Sequence, residues 1–507
     1  MNYLSITIGP IIKTLSMARK PRELWSASYL FSQLMGDLIT EISKEAKIIS
    51  PGIVSNNYTV KVGLYPDRLF CKEYPGGFES IAEIINTVKV TYANKVGVFA
   101  DYFKIYALEI EAENDGQAVD ILNKRLDYME LYNPIISDEA EESVRKLIVD
   151  KKNKLDSRDV EVDTLAELAS VQLKHIDPKA YETCGVKAKK EEEKTGKDAF
   201  IRTLKTEFKD KFKTPHKYIC IVHADGDNIG TIINTLNEGE LTELSNRLLE
   251  FGQKACGKIK AFGGLPIYAG GDDLLFIAPV VFGKEEEEKT IFDLIDRINN
   301  VFQESKVPEI IGEDPETKKK LIPSMSYGIS ITYYKYPLYE ALNMSRELLF
   351  DVAKELRENR KEKGTKIKQA IAWTLQKGSG SSVSAAFSTS AVEEKLSSAF
   401  DKLLTNISSK TDPNLITAVI HKIKSNEELL KIIMEDEKCL IRINAFFETT
   451  LEYNSKKESE QKYLNAVKEL LLTSYLITND IKETVRIVYA MLRTAKFIKG
   501  LEDDKDE

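Results

Sequence analysis

The chain has 507 residues, room for about three or four domains, and its 42% hydrophobic and 30% charged residues are the proportions of an ordinary globular protein. A net charge of −8 excludes bulk electrostatic coating of nucleic acid, which draws on clustered Lys and Arg, and no apolar run approaches the ~18 residues of a membrane span. The five cysteines (Cys71, Cys184, Cys220, Cys256, Cys439) contain no CxxC pair, so buried free thiols are expected rather than a disulfide framework or zinc ribbon; the start MNYLSITIGPIIKTL lacks secretory-signal features and reads as a cytoplasmic N-terminus.

In chain order, YLSITI (3–8) alternates like a strand and residues 22–46 repeat apolar positions at helical spacing. GLYPDRLFC (63–71) predicts a turn and strand, 79–95 a helix, and DYFKIYALEIEAE (101–113) a long strand. This first α+β unit occupies residues 1–114, and residues 115–199 form a mostly helical region. Within it VKAKKEEEKTGKD (186–198) offers almost nothing to bury, which predicts a mobile loop or linker.

A second α+β unit spans 200–377. KYICIVHA (217–224) is a buried strand, 229–262 a helix broken near 237–239, and LPIYAGGDDLLFIAPVV (265–281) two apolar arms around a hairpin turn. A helix (291–305), a strand (324–334), a helix (338–359) and a strand (368–375) follow. The order is βαββαβ, so the fold class is α+β with two ferredoxin-like palm domains. The charged runs 283–289 and 312–320 fall between elements as solvated loops, and GSGSSVSAAFSTS (378–390) predicts a flexible connector. Residues 378–507 read as a C-terminal helical bundle with a short charged tail, LEDDKDE.

Asp225 follows an apolar strand within ADGDNIG, where Gly226 would let the backbone turn sharply before a helix. In a βαββαβ sheet the hairpin of the second and third strands lies beside the first, so Asp272 and Asp273 of GGDD should converge on Asp225. Gathered anions call for a cation, and Mg²⁺ or Mn²⁺ prefers such hard oxygens together with substrate phosphates; two ions would clamp an in-line phosphoryl displacement. Gly270 and Gly271 leave room for a nucleotide at the turn, and Asp227 and Asn228 either join the site or cap the following helix. Lys354 could reach a triphosphate, or be a solvated helical lysine. A lone GGDD or DGD is usually a plain surface turn; it is the pairing that points to a metal site. His175, His216, His223 and His421 are isolated, none adjoins an aspartate, and each reads as structural.

Residues 6–35, HADGDNIG (223–230), PIYAGGDDLLFIAP (266–279) and SYGISI with its following helix resemble the large palm-domain subunit of type III CRISPR effector complexes, of the Cmr kind. The resemblance implies two facing palms, the second catalytic and the first holding a second nucleotide. It implies that ATP becomes a 3′–5′ linked adenylate, as cyclic oligoadenylate, when the complex captures target RNA, with other effector subunits and guide RNA as partners. Carried onto this chain, the metal ligands are Asp225, Asp272 and Asp273. Two features depart from the family pattern: no histidine-aspartate nuclease domain precedes the first palm, and the cysteine pairs that hold zinc between the palms are missing. Some members without the nuclease domain are thought to join AMP to S-adenosylmethionine instead, and the motifs do not decide between the products. A diguanylate cyclase would carry Glu and Phe where this chain has Asp273 and Leu274; a non-catalytic scaffold would gain nothing from clustered carboxylates.

Overall fold

The structure, a computed structural model, describes residues 1–53, 61–131, 135–150, 155, 160, 162–196, 198–236, 239–284, 287–314, 318–360, 364–407 and 411–501. The tail beyond 501 and part of each charged run between elements lie outside the described residues. Among the described residues no helix is long and apolar enough to cross a membrane. Four of the five free cysteines are buried and Cys439 is partly so.

The first unit runs β1 (Asn2–Gly9), α1 (Pro21–Ile42), β2 (Lys47–Ser50), β3 (Arg68–Lys72), α2 (Gly77–Val96) and β4 (Lys104–Glu111), with the antiparallel strand order β2-β3-β1-β4. That is the ferredoxin-like arrangement. Strand β2 has no counterpart in the sequence reading, because four residues are too short to display alternation. Leu4, Ile6 and Ile8 face α1 and α2, burying a core with Leu34, Leu38 and Val88. The opposite face takes α3 (Asp115–Glu130), whose Ala118, Leu122 and Leu126 pack in the core that includes Tyr3 and Ile110. Residues 115–130 thus back the first sheet.

The segment 186–198 is a correction. Most of it belongs to α4 (Pro178–Thr195), which ends at Gly196 with φ 65°. The charges stand on the solvent side while Tyr181, Cys184 and Ala188 form a thin buried stripe, and Tyr181 and Cys184 share a small core with Leu204 of α5 (Phe200–Phe208). Helix–helix burial overrides a composition that by itself reads as linker.

The second unit contains β5 (Tyr218–Asp227), α6 (Ile229–Ile233), α7 (Glu240–Ala261), β6 (Leu265–Gly270), β7 (Asp273–Pro279), α8 (Ile291–Glu304), β8 (Ser324–Tyr333), α9 (Leu338–Glu347), β9 (Ala370–Gln376) and β10 (Ser382–Ser388). The sheet order is β10-β9-β8-β5-β7-β6, a ferredoxin-like core extended at one edge. Strand β9 runs parallel to β8 and β10 antiparallel to β9, so much of the expected connector 378–390 is instead an edge strand. Its small residues fit there: Ser384 pairs with Thr374 through their hydroxyls, and Phe387 enters the core beside Trp373. The predicted helix 338–359 ends earlier, α9 giving way to a wider-wound stretch over Leu348–Ala353. Beyond β10 the described residues are helical, and Trp373 ties the last helix, Ile481–Ile498, to β9 through a hydrogen bond to Thr494 of 3.0 Å.

The two units meet at β6. The Ala269 amide donates to the Gly63 carbonyl at 2.7 Å, so the stretch before β3 lies along the edge of the GGDD hairpin. Ile219, Ile221 and Ile267 share the core under α1.

Candidate active site

Strand β5 does not turn at Gly226. It pairs with β8 through Asp227, and the chain turns at Asn228, which has φ 68°. What Gly226 provides is space: a Cβ there would lie 2.7 Å from Asp272 Oδ2 and 2.6 Å from Ile229 Cδ1. The β6–β7 hairpin closes with Gly270 opposite Asp273, leaving Gly271 and Asp272 as a two-residue loop, and Gly271 takes the left-handed φ of 64° that such a loop demands. Ala224 is paired with Leu274; one step further the register brings Asp225 beside Asp273 and Gly226 beside Asp272. The strand ends that carry Asp225, Asp272 and Asp273 are therefore adjacent.

They are not equivalent. The Asp225 side chain is 18% exposed and forms an ion pair with Lys354, whose ammonium also donates to the Gly226 carbonyl at 3.1 Å. Lys354 is thus a partly buried counter-ion, not a solvated helical lysine. Burial, and then the charge of Lys368, lowers its pKa to about 8. The Asp272 and Asp273 carboxyls are pushed up by burial, Asp272 also by the negative charge of Asp273. Asp273 nevertheless opens onto a water-accessible cavity. Among the described residues no three His, Cys, Asp or Glu side chains gather closely enough to hold an ion as they stand. With Asp225 drawn to Lys354, the hard oxygen donors that Mg²⁺ or Mn²⁺ favours are present but apart.

Asp227 is a brace. It is 1% exposed, and its carboxylate accepts from Ser324 (2.8 Å), from Ser326 (2.9 and 3.1 Å) and from the Gln369 amide (2.9 Å). These bonds join β5, β8 and the approach to β9, committing the carboxylate to the sheet. Asn228 does not cap α6 with its side chain; its amide donates to the Ile322 carbonyl at 3.0 Å. Gly270 lies under Tyr268, where a Cβ would meet the phenol oxygen at 2.4 Å.

Between the units lies a cavity of about 360 Å³. Ile8, Ile12, Phe31 and Asp67 line it from the first unit; Tyr268 and Asp273 from the GGDD hairpin, and Asn343, Arg346 and Phe350 from α9 and its extension, line it from the second. The sequence reading missed Asp67. Burial lifts its pKa to about 6, and adjacent Arg68 is occupied with Asn123, Asp127 and Glu130. A lone aspartate after YP carries no motif; only the pairing of the two units brings it to the GGDD turn. His223 is also in the cavity wall; it bonds Ser345 Oγ at 2.8 Å, and burial lowers its pKa to about 4, as a structural histidine requires.

Two family models match this chain: "Cas10/Cmr2, second palm domain" over residues 218–363, and "CRISPR-associated protein Cmr2, N-terminal" over 3–147. The CRISPR system Cmr subunit Cmr2 of Pyrococcus furiosus is 30% identical over 195 residues, 33% of this chain and 19% of that protein's length. Among solved structures, a chain of the type III-B Cmr-beta assembly in its apo state aligns with TM-score 0.59 and 13% identity, over 99% of this chain and 82% of that one. The same assembly bound to cognate target RNA gives 0.57 and 14%, over 99% and 83%. At these identities the structural likeness bears on fold alone.

Proposed function

The chain belongs to the Cas10/Cmr2 family of type III-B effector palm proteins, and on that premise we propose that it is the RNA-activated nucleotidyltransferase of its complex, converting ATP to a 3′–5′ linked adenylate of the cyclic oligoadenylate kind. The observation that supports this reading is the strand pairing, through Ala224 and Leu274, that makes the ends of β5 and β7 carrying Asp225, Asp272 and Asp273 adjacent, with Asp273 lining the inter-palm cavity. Desolvation raises two of these carboxyls, Asp272 also through the charge of Asp273, and hard carboxylate oxygens brought together in this way fit Mg²⁺ or Mn²⁺.

The three aspartates would hold the metal, which when bound neutralises phosphate charge and orients the attacking and leaving oxygens. Lys354 meanwhile balances the charge of the partly exposed Asp225, and turns to the triphosphate once Asp225 is engaged. A 3′-hydroxyl held in the cavity attacks the α-phosphorus. The new P–O bond forms as the bond to pyrophosphate breaks, and the hydroxyl proton leaves to solvent or to a carboxylate. Such transfer asks the protein for positioning and charge compensation, both of which these side chains supply. Other effector subunits, guide RNA and target RNA are the proposed partners, with target capture raising turnover more than ATP affinity.

A second reading is favoured by one observation. Asp67, whose charge interacts with the adjacent Arg68, and Arg346 both line the same cavity. A wall presenting a carboxylate and a guanidinium suits a zwitterionic amino acid, which is what S-adenosylmethionine would offer as acceptor of AMP from ATP. Mass spectrometry of products formed from ATP and Mn²⁺ by the assembled complex with target RNA, with and without S-adenosylmethionine, separates the two. No nucleotide product under either condition would leave the non-catalytic scaffold.

A further inference from the structure

A second, smaller cavity of about 200 Å³ shares no lining residue with the inter-palm cavity and lies where separate parts of the chain meet. Gln172 of the short helix Val171–Ile176 lines one side of it. Lys211, Lys213 and His216, from the segment that leads into β5, line another. Lys284 and Glu288 line the third, from the turn that joins the paired strands Val281–Phe282 and Lys289–Thr290. The end of the last helix packs alongside: a Cβ at Gly500 would lie 2.7 Å from Lys213 Cβ, and the charge of Lys499 interacts with those of Lys213 and Glu288.

The floor of this recess is fixed by a relay of buried polar side chains. His216 is 1% exposed and Gln172 2%. The Lys213 amide donates to His216 Nδ1 at 2.9 Å, so the ring proton is on Nε2, which donates to Gln172 Oε1 at 2.7 Å. Gln172 Nε2 in turn donates to the Gly283 carbonyl at 3.0 Å and to Glu288 Oε2 at 3.2 Å. The Lys213 ammonium meets that same oxygen at 3.2 Å. The relay holds one carboxylate in place on a wall that carries three lysines. Three lysines against one glutamate leave a positive surplus in a chain of net charge −8, and a concave surface concentrates its field.

We propose that this recess is a second anion site, which takes a small phosphate anion such as pyrophosphate against Lys211, Lys213 and Lys284, with Glu288 as the built-in carboxylate that competes for Lys213. Lysine binds phosphate as a point charge and needs no forked geometry, so several of them around a recess suffice. A recess of this volume has room for a di- or triphosphate but offers no continuous track for a nucleic-acid backbone. The site stands apart from the palm chemistry. An anion seated there bridges the middle helices, the entry to β5 and the turn after β7, and so favours their packed arrangement by mass action.

The test is equilibrium binding of inorganic pyrophosphate to the full chain at fixed ionic strength, with EDTA present so that metal-dependent binding at the GGDD turn does not contribute. The wild type is expected to bind. Lys211 and Lys284 are exposed, so alanine at either leaves the fold intact, and each change should weaken binding about three- to tenfold. Glu288→Gln keeps an acceptor for Lys213 and Gln172 but removes the competing charge, and should tighten binding about threefold. A merely structural role for Glu288 predicts no such gain. A wild type that binds no pyrophosphate overturns the inference, as does binding that is unchanged by Lys211→Ala with Lys284→Ala, or that Glu288→Gln leaves equal or weaker. Binding lost in Lys354→Ala but kept in the double lysine variant would place the anion at the palm site instead. A short uridine oligonucleotide without terminal phosphate should fail to displace pyrophosphate; displacement would assign the recess to an RNA strand and overturn the small-anion reading.

Discussion

Asp225 and Asp227 sit two residues apart on one strand, and the structure gives them opposite work, so exchanging each for alanine should produce opposite losses. Asp227→Ala removes an acceptor used by two serine hydroxyls and one backbone amide at 2.8–3.1 Å. Three hydrogen bonds to a charged acceptor at about 1.5–3 kcal/mol each amount to about 5–9 kcal/mol gross. Burying the carboxylate itself costs several kcal/mol, which its removal recovers, leaving a net loss of about 3–5 kcal/mol. The Gln369 amide stays behind without a partner, so the approach to β9 loosens. Asp225→Ala instead breaks an ion pair whose members are 18% and 21% exposed, worth about 1 kcal/mol or less. Urea unfolding should show a lower midpoint for Asp227→Ala at unchanged slope and nearly the wild-type midpoint for Asp225→Ala. Product formation from ATP by the assembled complex should be lost in Asp225→Ala and retained, under conditions where the chain is folded, in Asp227→Ala. A stable but inactive Asp227→Ala would refute the division, making Asp227 the ligand and its hydrogen bonds incidental.

Three further outcomes are expected. Asp272→Ala with Asp273→Ala should abolish product while holding or slightly raising stability, since it removes two carboxyls whose ionisation burial already opposes; near-wild-type turnover would remove these residues from the site. Gly226→Ala should cut turnover at least tenfold with every carboxylate intact, because its Cβ would sit 2.7 Å from Asp272 Oδ2; unchanged activity would show that the loop tolerates displacement. His216 is 1% exposed, accepts the Lys213 amide at Nδ1, and has its pKa lowered by burial to about 3. Its stability contribution is complete above the unfolded value near 6.5 and falls as pH drops toward 3, because only the unfolded chain takes up the proton. That amounts to about 2 kcal/mol by pH 5. Chemical denaturation between pH 7 and 5 should show the slope, and His216→Asn, with no proton to bind, should flatten it.

Much of the site was legible in the sequence because it is built from local rules. An apolar run ending in ADGDN and two apolar arms around GGDD specify a strand and a hairpin, and βαββαβ order makes them adjacent, so the approach of the GGDD turn to the end of that strand followed without coordinates. What distinguishes Asp225 from Asp227 was not legible: both follow the same strand, and only Ser324, Ser326 and the Gln369 amide, 97 to 142 residues away, decide that one is a brace. The charged stretch at 186–198 and the Gly/Ser stretch at 378–390 were read as mobile because composition records what a segment offers to bury, not what a neighbour offers it. α5 and β9 supplied those partners. Asp67 likewise enters the cavity only because the Gly63–Ala269 hydrogen bond lays one unit along the edge of the other. The sequence alone thus determined the elements, their βαββαβ order and the carboxylates at the strand ends, since these depend on periodicity and turn chemistry within a few residues. Tertiary structure decided which carboxylate is free, what faces it and how large a cavity it opens on, since burial, pKa and hydrogen-bond satisfaction are set by whatever arrives from elsewhere in the chain.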